Sequence, residues 1–143
     1  MITIEKTTDL PASAEKIWAA VSDLARWEDW LTIHQKWKSD LPAEIGLGTK
    51  VTGVASVLNM PNTIEWTVDE WDVPNKLAIS GKGMAGVEVS ISLAVSSHGD
   101  GSKLVVTSSF GGQMIVGAIA GAIERASKQE LDTSLANLAE QVA

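Results

Sequence analysis

The chain has 143 residues, of which 45% are hydrophobic and 20% are charged, and its formal net charge is -7. This length predicts one domain, and the acidic balance argues against nucleic acid and anionic membranes as main partners, because both bind positive surfaces. Cysteine is absent from the sequence, which excludes disulfides, thiolate metal sites and a cysteine nucleophile.

Two stretches bear on the cellular location. Met1–Lys6 alternates as a strand does and lacks the basic-then-apolar form of a signal peptide. The longest apolar run, Met114–Ile123, is about half as long as a membrane-spanning helix requires. We therefore expect a cytoplasmic protein without an integral membrane segment.

The first third of the chain predicts a strand, two short helices and a second strand. Ile2–Thr8 alternates between apolar and polar residues, as a strand does. Ser13 is a favourable N-cap for a helix, and Asp23 can cap a second short helix over Leu24–Trp30. Thr32–Ser39 is then predicted as a short edge strand.

The middle of the chain predicts an antiparallel meander, because alternating segments are separated by clusters of Pro, Gly and Asn. A turn is predicted over Asn59–Asn62. The alternation slips at Glu70–Trp71, which indicates a bulge or an edge. The predicted strands are Val51–Leu58, Thr63–Val73, Lys76–Lys82, Val87–Val95 and Leu104–Phe110.

The last third, Gly111–Val142, predicts a long helix with two different halves. The first half, Met114–Ile123, has no polar side, and such a helix is buried or covers something apolar. Parallel crossovers are absent, so the fold class is α+β and a Rossmann fold is excluded. The second half has one apolar stripe, made of Leu131, Leu135, Leu138 and Val142.

Four segments at the joints of this element order carry a family resemblance. They are Pro11–Trp18, Ser22–Trp30, Gly46–Thr49 and Pro74–Leu77. In them the chain resembles the START/Bet v1-like superfamily and, within it, the bacterial polyketide cyclase/dehydrase and lipid transport family. The resemblance covers essentially the whole chain and implies one domain, residues 1–143, with a helix-grip fold. In that fold a curved antiparallel sheet of six or seven strands wraps around a long C-terminal helix, and two short helices follow the first strand.

The resemblance also implies a function, although the fold alone does not dictate one. Family members hold lipids, polyketides or similar molecules in an apolar cavity, and no cofactor is indicated. Trp30–His34, Met60–Asn62 and Phe110–Gly112 resemble small actinobacterial members, some of which are named toxins of toxin–antitoxin pairs. We expect a non-catalytic protein that binds a hydrophobic small molecule. A cyclase or dehydratase and a toxin-like interaction protein are the alternatives.

The predicted ligand site lies between the first half of the long helix and the sheet. No catalytic residue is assigned. His34 is a candidate general base, with Ser108 as a further polar participant, and a structural role of His34 stays open. No histidine spacing suits zinc, so no metal site is predicted. The alternative role of every lining residue is to fill a solid core. The predicted lining residues are Trp30, His34, Met60, Trp66, Val89, Ile91, Val106, Phe110, Met114, Ile115, Ala118, Ile119 and Ala122.

Overall fold

The computed structural model describes residues 2–57, 60–83, 86–113 and 115–142, apart from the side chain of Val57. Within these ranges the chain forms seven strands and three α-helices. A 3₁₀ turn at Leu24–Arg26 joins the first two helices. Within the described residues, none of the helices is long and apolar enough to cross a membrane. In chain order the elements are β1 (Ile2–Leu10), α1 (Ala14–Val21), α2 (Trp27–Trp30), β2 (His34–Trp37), β3 (Lys50–Val57), β4 (Met60–Asp72), β5 (Lys76–Lys82), β6 (Glu88–His98), β7 (Gly101–Gly111) and α3 (Gly117–Gln141).

The seven strands form one antiparallel sheet in the order β1-β7-β6-β5-β4-β3-β2. The first strand pairs with the last, so that Ile2 lies opposite Phe110 and Leu10 lies opposite Ser102. The sheet curls into a half-barrel that carries the long helix α3, and the short helices follow β1. The predicted helix-grip α+β fold is confirmed.

Alternation along the strands separates a core face from a solvent face, as a period of two requires. On β4, Ile64, Trp66 and Val68 are buried, whereas Glu65 and Asp69 are exposed. The register of β4 against β5 shifts between Val68 and Glu70, next to Glu70–Trp71, where a bulge or an edge is predicted. The buried face of every long strand therefore points to the same interior.

Both predicted N-caps are present. The backbone N–H of Lys16 donates to Ser13 Oγ at 3.2 Å, and that of Ala25 donates to Asp23 Oδ1 at 3.2 Å. Each bond satisfies an amide that the first turn of a helix leaves without a partner. Asp23 opens the 3₁₀ turn that leads into α2.

The turn predicted over Asn59–Asn62 is wrong for its last three residues. β4 begins at Met60, and Pro61 pairs with Ser56 of β3. The pairing of β4 with β5 ends at Glu65, so Pro61 has a strand neighbour on one side only and its missing N–H breaks no second ladder. Asn59 lies outside the described residues.

Candidate ligand-binding site

The loop between α2 and β2 is fastened to the second half of α3 by a hydrogen-bond cluster. The backbone N–H of Thr32 donates to Ser134 Oγ at 2.9 Å, and Thr32 Oγ1 donates to the carbonyl of Glu130 at 3.0 Å. Asn137 Nδ2 also donates to the carbonyl of Trp30, at 3.4 Å. These bonds fix the distance between α3 and the loop, and therefore define one wall of the space beneath the helix.

A small cavity of about 10 Å³ lies between α3, β7 and this loop. Ser108 of β7 and Ser127 of α3 are 5% and 4% exposed, and neither hydroxyl has a hydrogen-bond partner among the described residues. The space suffices for about one water-sized group. The remaining wall is apolar except for Ser134, which is bonded to Thr32. The cavity is lined by Leu31, Ile33, Ser108, Phe110, Ser127, Leu131 and Ser134.

His34 lies in a cluster of tryptophan rings at the start of β2. Its ring centroid is 4.2 Å from that of Trp37 and 6.3 Å from that of Trp27. The indole N–H groups of these tryptophans donate to backbone carbonyls of the preceding helices, at 2.7 Å and 2.9 Å respectively. The ring orientations are therefore restrained, because each indole packs against its neighbours and its N–H is held by a backbone carbonyl.

Burial decides the charge of His34. Its ring is 6% exposed, and removal from water lowers the pKa of the imidazole from 6.5 to about 4. The ring is consequently neutral at pH 7, and Nε2 has no hydrogen-bond partner within the described chain. A neutral imidazole with so low a pKa accepts protons weakly, so the geometry favours a hydrogen-bonding or packing role over general-base catalysis.

The structure places most of the predicted sheet-side lining residues in the core. Three of the predicted helix and hairpin residues lie elsewhere: Met60 is 54% exposed, Ile119 is 50% exposed, and Ala118 is also exposed. Ile115 and Ala122 are half-buried, and Met114 lies outside the described residues. The buried members of the predicted set are Trp30, His34, Trp66, Val89, Ile91, Val106 and Phe110.

The apolar first half of the long helix is predicted to be buried or to cover something apolar. This is wrong for the outer side of its front, residues 117–123, which is exposed. α3 begins at Gly117, after Val116, which is 63% exposed, and burial of a large side chain starts at Ile123. From there the residues that face the sheet recur every three or four positions, so one stripe is covered and the rest of the helix is not. The front of α3 thus presents apolar side chains to solvent. The buried stripe comprises Ile123, Ser127, Leu131, Ser134 and Leu138.

Sequence reasoning missed Ser127 and Ser134 as lining residues, although a signal was present. Both fall on the same stripe as Leu131 and Leu138, at spacings of three or four residues. A serine on an apolar stripe is a buried hydroxyl, which needs a partner. The proximity of Ser127 to Ser108 of β7 has no signal in the sequence, because it depends on how α3 crosses the sheet.

A larger trough of about 730 Å³ lies along strands β3 to β6 and is open to solvent. Its lining consists mostly of exposed and half-buried residues of the outward face, among them Lys50, Glu65, Lys82 and Glu88, so it belongs to the solvent face of the sheet. Val51, Trp66 and Val89, which are buried, also border it from between those residues. Lys82 lies in register between Glu65 and Glu88 of the neighbouring strands, an arrangement that stabilises a sheet surface. We assign this trough to the solvated exterior, and the smaller cavity beneath α3, whose lining residues are all buried, is the candidate site.

The interior carries no formal charge. No Asp, Glu, Lys or Arg side chain is buried in the described ranges, and the residues outside those ranges are Met, Leu, Asn and Ala. Within the same described ranges, no group of three His, Asp or Glu residues is arranged to hold a metal ion. The chemistry available inside is therefore apolar contact and hydrogen bonding by neutral groups.

Comparison with known proteins places this geometry in a family. A model of the family described as polyketide cyclase / dehydrase and lipid transport matches residues 1–143. The chain is 35% identical over 140 residues to protein Rv1546 of Mycobacterium tuberculosis, with 98% of both chains covered. It is 33% identical over 137 residues to a protein of the same organism named Toxin Rv0910, with 96% of this chain and 95% of that protein covered.

Solved structures show the same fold at low sequence identity. A START superfamily protein from Mycobacterium smegmatis superposes with a TM-score of 0.79 at 15% identity, covering 98% of this chain and 96% of that one. The ZhuI aromatase/cyclase from a Streptomyces species gives a TM-score of 0.74 at 18% identity, covering 99% of this chain and 93% of that one. These likenesses support the architecture alone, since one fold hosts different functions.

Proposed function

This chain belongs to the polyketide cyclase / dehydrase and lipid transport family, and on that premise we propose that it binds a hydrophobic small molecule between α3 and the sheet, without covalent chemistry. The observation that carries the proposal is the cavity beneath α3, in which apolar walls surround two buried hydroxyls without protein partners, those of Ser108 and Ser127. Ligand sites are typically apolar with a few placed polar groups.

The free-energy cost of burying these two hydroxyls without partners supports the binding of a ligand. Burying a hydroxyl without a hydrogen bond costs about 1–3 kcal/mol, so a group that supplies the missing bond stabilises the bound state. The cavity itself admits only a small group, and the rest of a ligand needs further apolar contact. Val116, just before α3, and Ile119, in its first turn, supply exposed apolar surface at the start of the same helix.

Binding is tested first by intrinsic fluorescence. The chain has six tryptophans and no tyrosine, and Trp30 and Trp66 are buried with unpaired indole N–H groups. A ligand that enters the interior changes their emission, and titration with a long-chain alcohol and a planar aromatic polyketide should give saturable curves, with a fatty acid as the third probe. Organic extraction of the purified protein, followed by mass spectrometry, identifies any molecule carried from the host cell. Absence of saturable binding for all three probes would contradict the proposal.

A cavity-filling variant locates the site. Ser108→Val adds methyl groups to the cavity and removes an unpaired hydroxyl, and valine suits a strand. We expect ligand affinity to fall at least tenfold while thermal stability is kept or raised. Ser96→Val, an exposed position on the adjacent strand β6, is the matched control and should bind as the wild type does. Equal affinity in Ser108→Val and wild type would place the site elsewhere.

Hydrogen exchange gives an independent readout of the region involved. Bound ligand should protect the backbone amides of residues 117–127, which include the exposed front of α3 and Ser127 of the cavity, more than those of residues 135–141, which lie beyond the cavity lining. Uniform protection along the helix would indicate global stabilisation and no preference for the front.

A second candidate function rests on the relative named a toxin. The 33% identity to Toxin Rv0910 extends over 96% of this chain, and exposed apolar side chains such as Val116 offer a surface for a protein partner. Induced expression in a bacterial host distinguishes this interaction role from ligand binding alone. Arrest of growth that is lost in Val116→Asp supports the second candidate, and unaffected growth contradicts it.

A further inference from the structure

We propose that the interior selects an uncharged ligand, whose carbonyl or hydroxyl oxygen sits between Ser108 and Ser127 and whose remainder is hydrocarbon. This inference rests on the proposed function and names the ligand class of the same site. Alcohols, ketones and neutral aromatic polyketides fall in that class, and fatty acid anions do not.

The first support is the pair of hydroxyls. Ser108 and Ser127 come from different elements, β7 and α3, and both line the cavity with unpaired oxygens. Each hydroxyl can donate one bond and accept others, so the pair matches either a carbonyl acceptor or an alcohol. The cavity volume of about 10 Å³ corresponds to one oxygen-sized group.

The second support is the electrostatics of the surroundings. All Asp, Glu, Lys and Arg side chains of the chain are exposed or half-exposed, so no described cation reaches the interior to neutralise a carboxylate. His34, the buried ionisable residue, contacts tryptophan rings and stays neutral near pH 7. An unpaired charge in such surroundings is strongly disfavoured, and a carboxyl group would have to bind in its protonated form.

Comparing three molecules of equal chain length tests the selection. Tetradecan-1-ol, tetradecan-2-one and tetradecanoic acid are titrated at pH 7.5 by tryptophan fluorescence. We expect the alcohol and the ketone to bind at least tenfold more tightly than the acid. Lowering the pH to 5 should strengthen binding of the acid and leave the neutral molecules unchanged. Equal affinities at pH 7.5 would overturn the inference while leaving the proposed function intact, whereas no binding of any probe would remove both.

Serine variants test the position of the oxygen. Ser127→Ala removes one hydroxyl without filling the cavity, and loss of one hydrogen bond of about 1 kcal/mol corresponds to a fall in affinity of roughly fivefold for the alcohol and the ketone. Ser108→Ala should act in the same way and serves as the second variant. Ser96→Ala is the exposed control.

The same variants separate a ligand role from a structural one. An unpaired buried hydroxyl destabilises the fold when no ligand is bound, so Ser127→Ala should melt at the wild-type temperature or above it. A lower melting temperature together with unchanged ligand affinity would show that the hydroxyl pair serves only a structural water, and would overturn the inference.

Discussion

The stability of this protein should fall steeply on mild acidification because of His34. Burial lowers the pKa of the folded imidazole from 6.5 to about 4. Between these pH values the unfolded chain binds a proton at this residue and the folded chain does not. The contribution of His34 to stability is therefore complete above the unfolded pKa and is lost as the pH falls toward the folded pKa.

The difference between the folded and unfolded pKa of His34 sets the size of this loss of stability. Relative to pH 7.5, the linkage relation gives a loss of about 2 kcal/mol at pH 5 and about 3 kcal/mol at pH 4. This loss is a substantial fraction of the stability of a typical domain, about 5–15 kcal/mol. No carboxylate contacts the ring in the described structure, where its neighbours are the indoles of Trp27 and Trp37.

Urea unfolding of wild type and His34→Gln, followed by tryptophan fluorescence at pH 7.5, 5 and 4, measures this contribution. Other groups titrate in both proteins, so the relevant quantity is the change with pH in the difference between their unfolding free energies. That difference should move by about 2 kcal/mol in favour of the variant at pH 5. His34→Leu is a second, apolar replacement, and His98→Gln, at the exposed end of β6, is the control. Parallel pH profiles of wild type and both His34 variants would refute the role of His34 in acid destabilisation.

Three further predictions concern packing and the fastening of α3, and each is checked by urea or thermal unfolding. Gly81→Ala should lower the free energy of unfolding by about 1–3 kcal/mol, because an added Cβ lies 2.5 Å from the backbone of the neighbouring strand. Gly46→Ala, where an added Cβ has nothing within 4 Å, is the control and should be near neutral. Equal effects would contradict the close approach of β4 to Gly81. Thr32→Val should cost about 1–2 kcal/mol through loss of its hydroxyl bonds to α3, and an unchanged midpoint would mean that these bonds do not hold the helix. Leu138 is 0% exposed, and Leu138→Ala should lower the free energy of unfolding by about 2–5 kcal/mol. The control is Leu47→Ala, at a position 74% exposed, which should lower it by less than about 0.5 kcal/mol. A small effect at Leu138 would show that α3 is not packed there.

Local pattern accounts for the features that were predicted correctly. The alternation of Val89 and Ile91 with Glu88 and Ser90 specifies a strand with one buried face, whatever that face meets. The caps at Ser13 and Asp23 are equally local, because each side chain reaches an amide two or three residues away. Such features depend on neighbours within a turn, and the sequence states those neighbours directly.

The turn at Pro61 shows where local pattern fails. Proline followed by asparagine is typical of a turn, yet Pro61 lies in β4, because the neighbouring strand β5 ends before reaching it. A strand end of this kind tolerates proline, and only the lengths of the adjacent strands reveal it.

By itself the sequence determined the element order, the two faces of the sheet, the apolar stripe of α3 and the absence of charge from that stripe. Tertiary structure alone decided which side of the front of α3 meets solvent, and that Ser108 and Ser127 line one cavity. The same holds for the bond between Thr32 and Ser134, which are 102 residues apart. Periodicity fixes the direction of a side chain relative to its own element, whereas the partner it meets depends on how all elements pack at once.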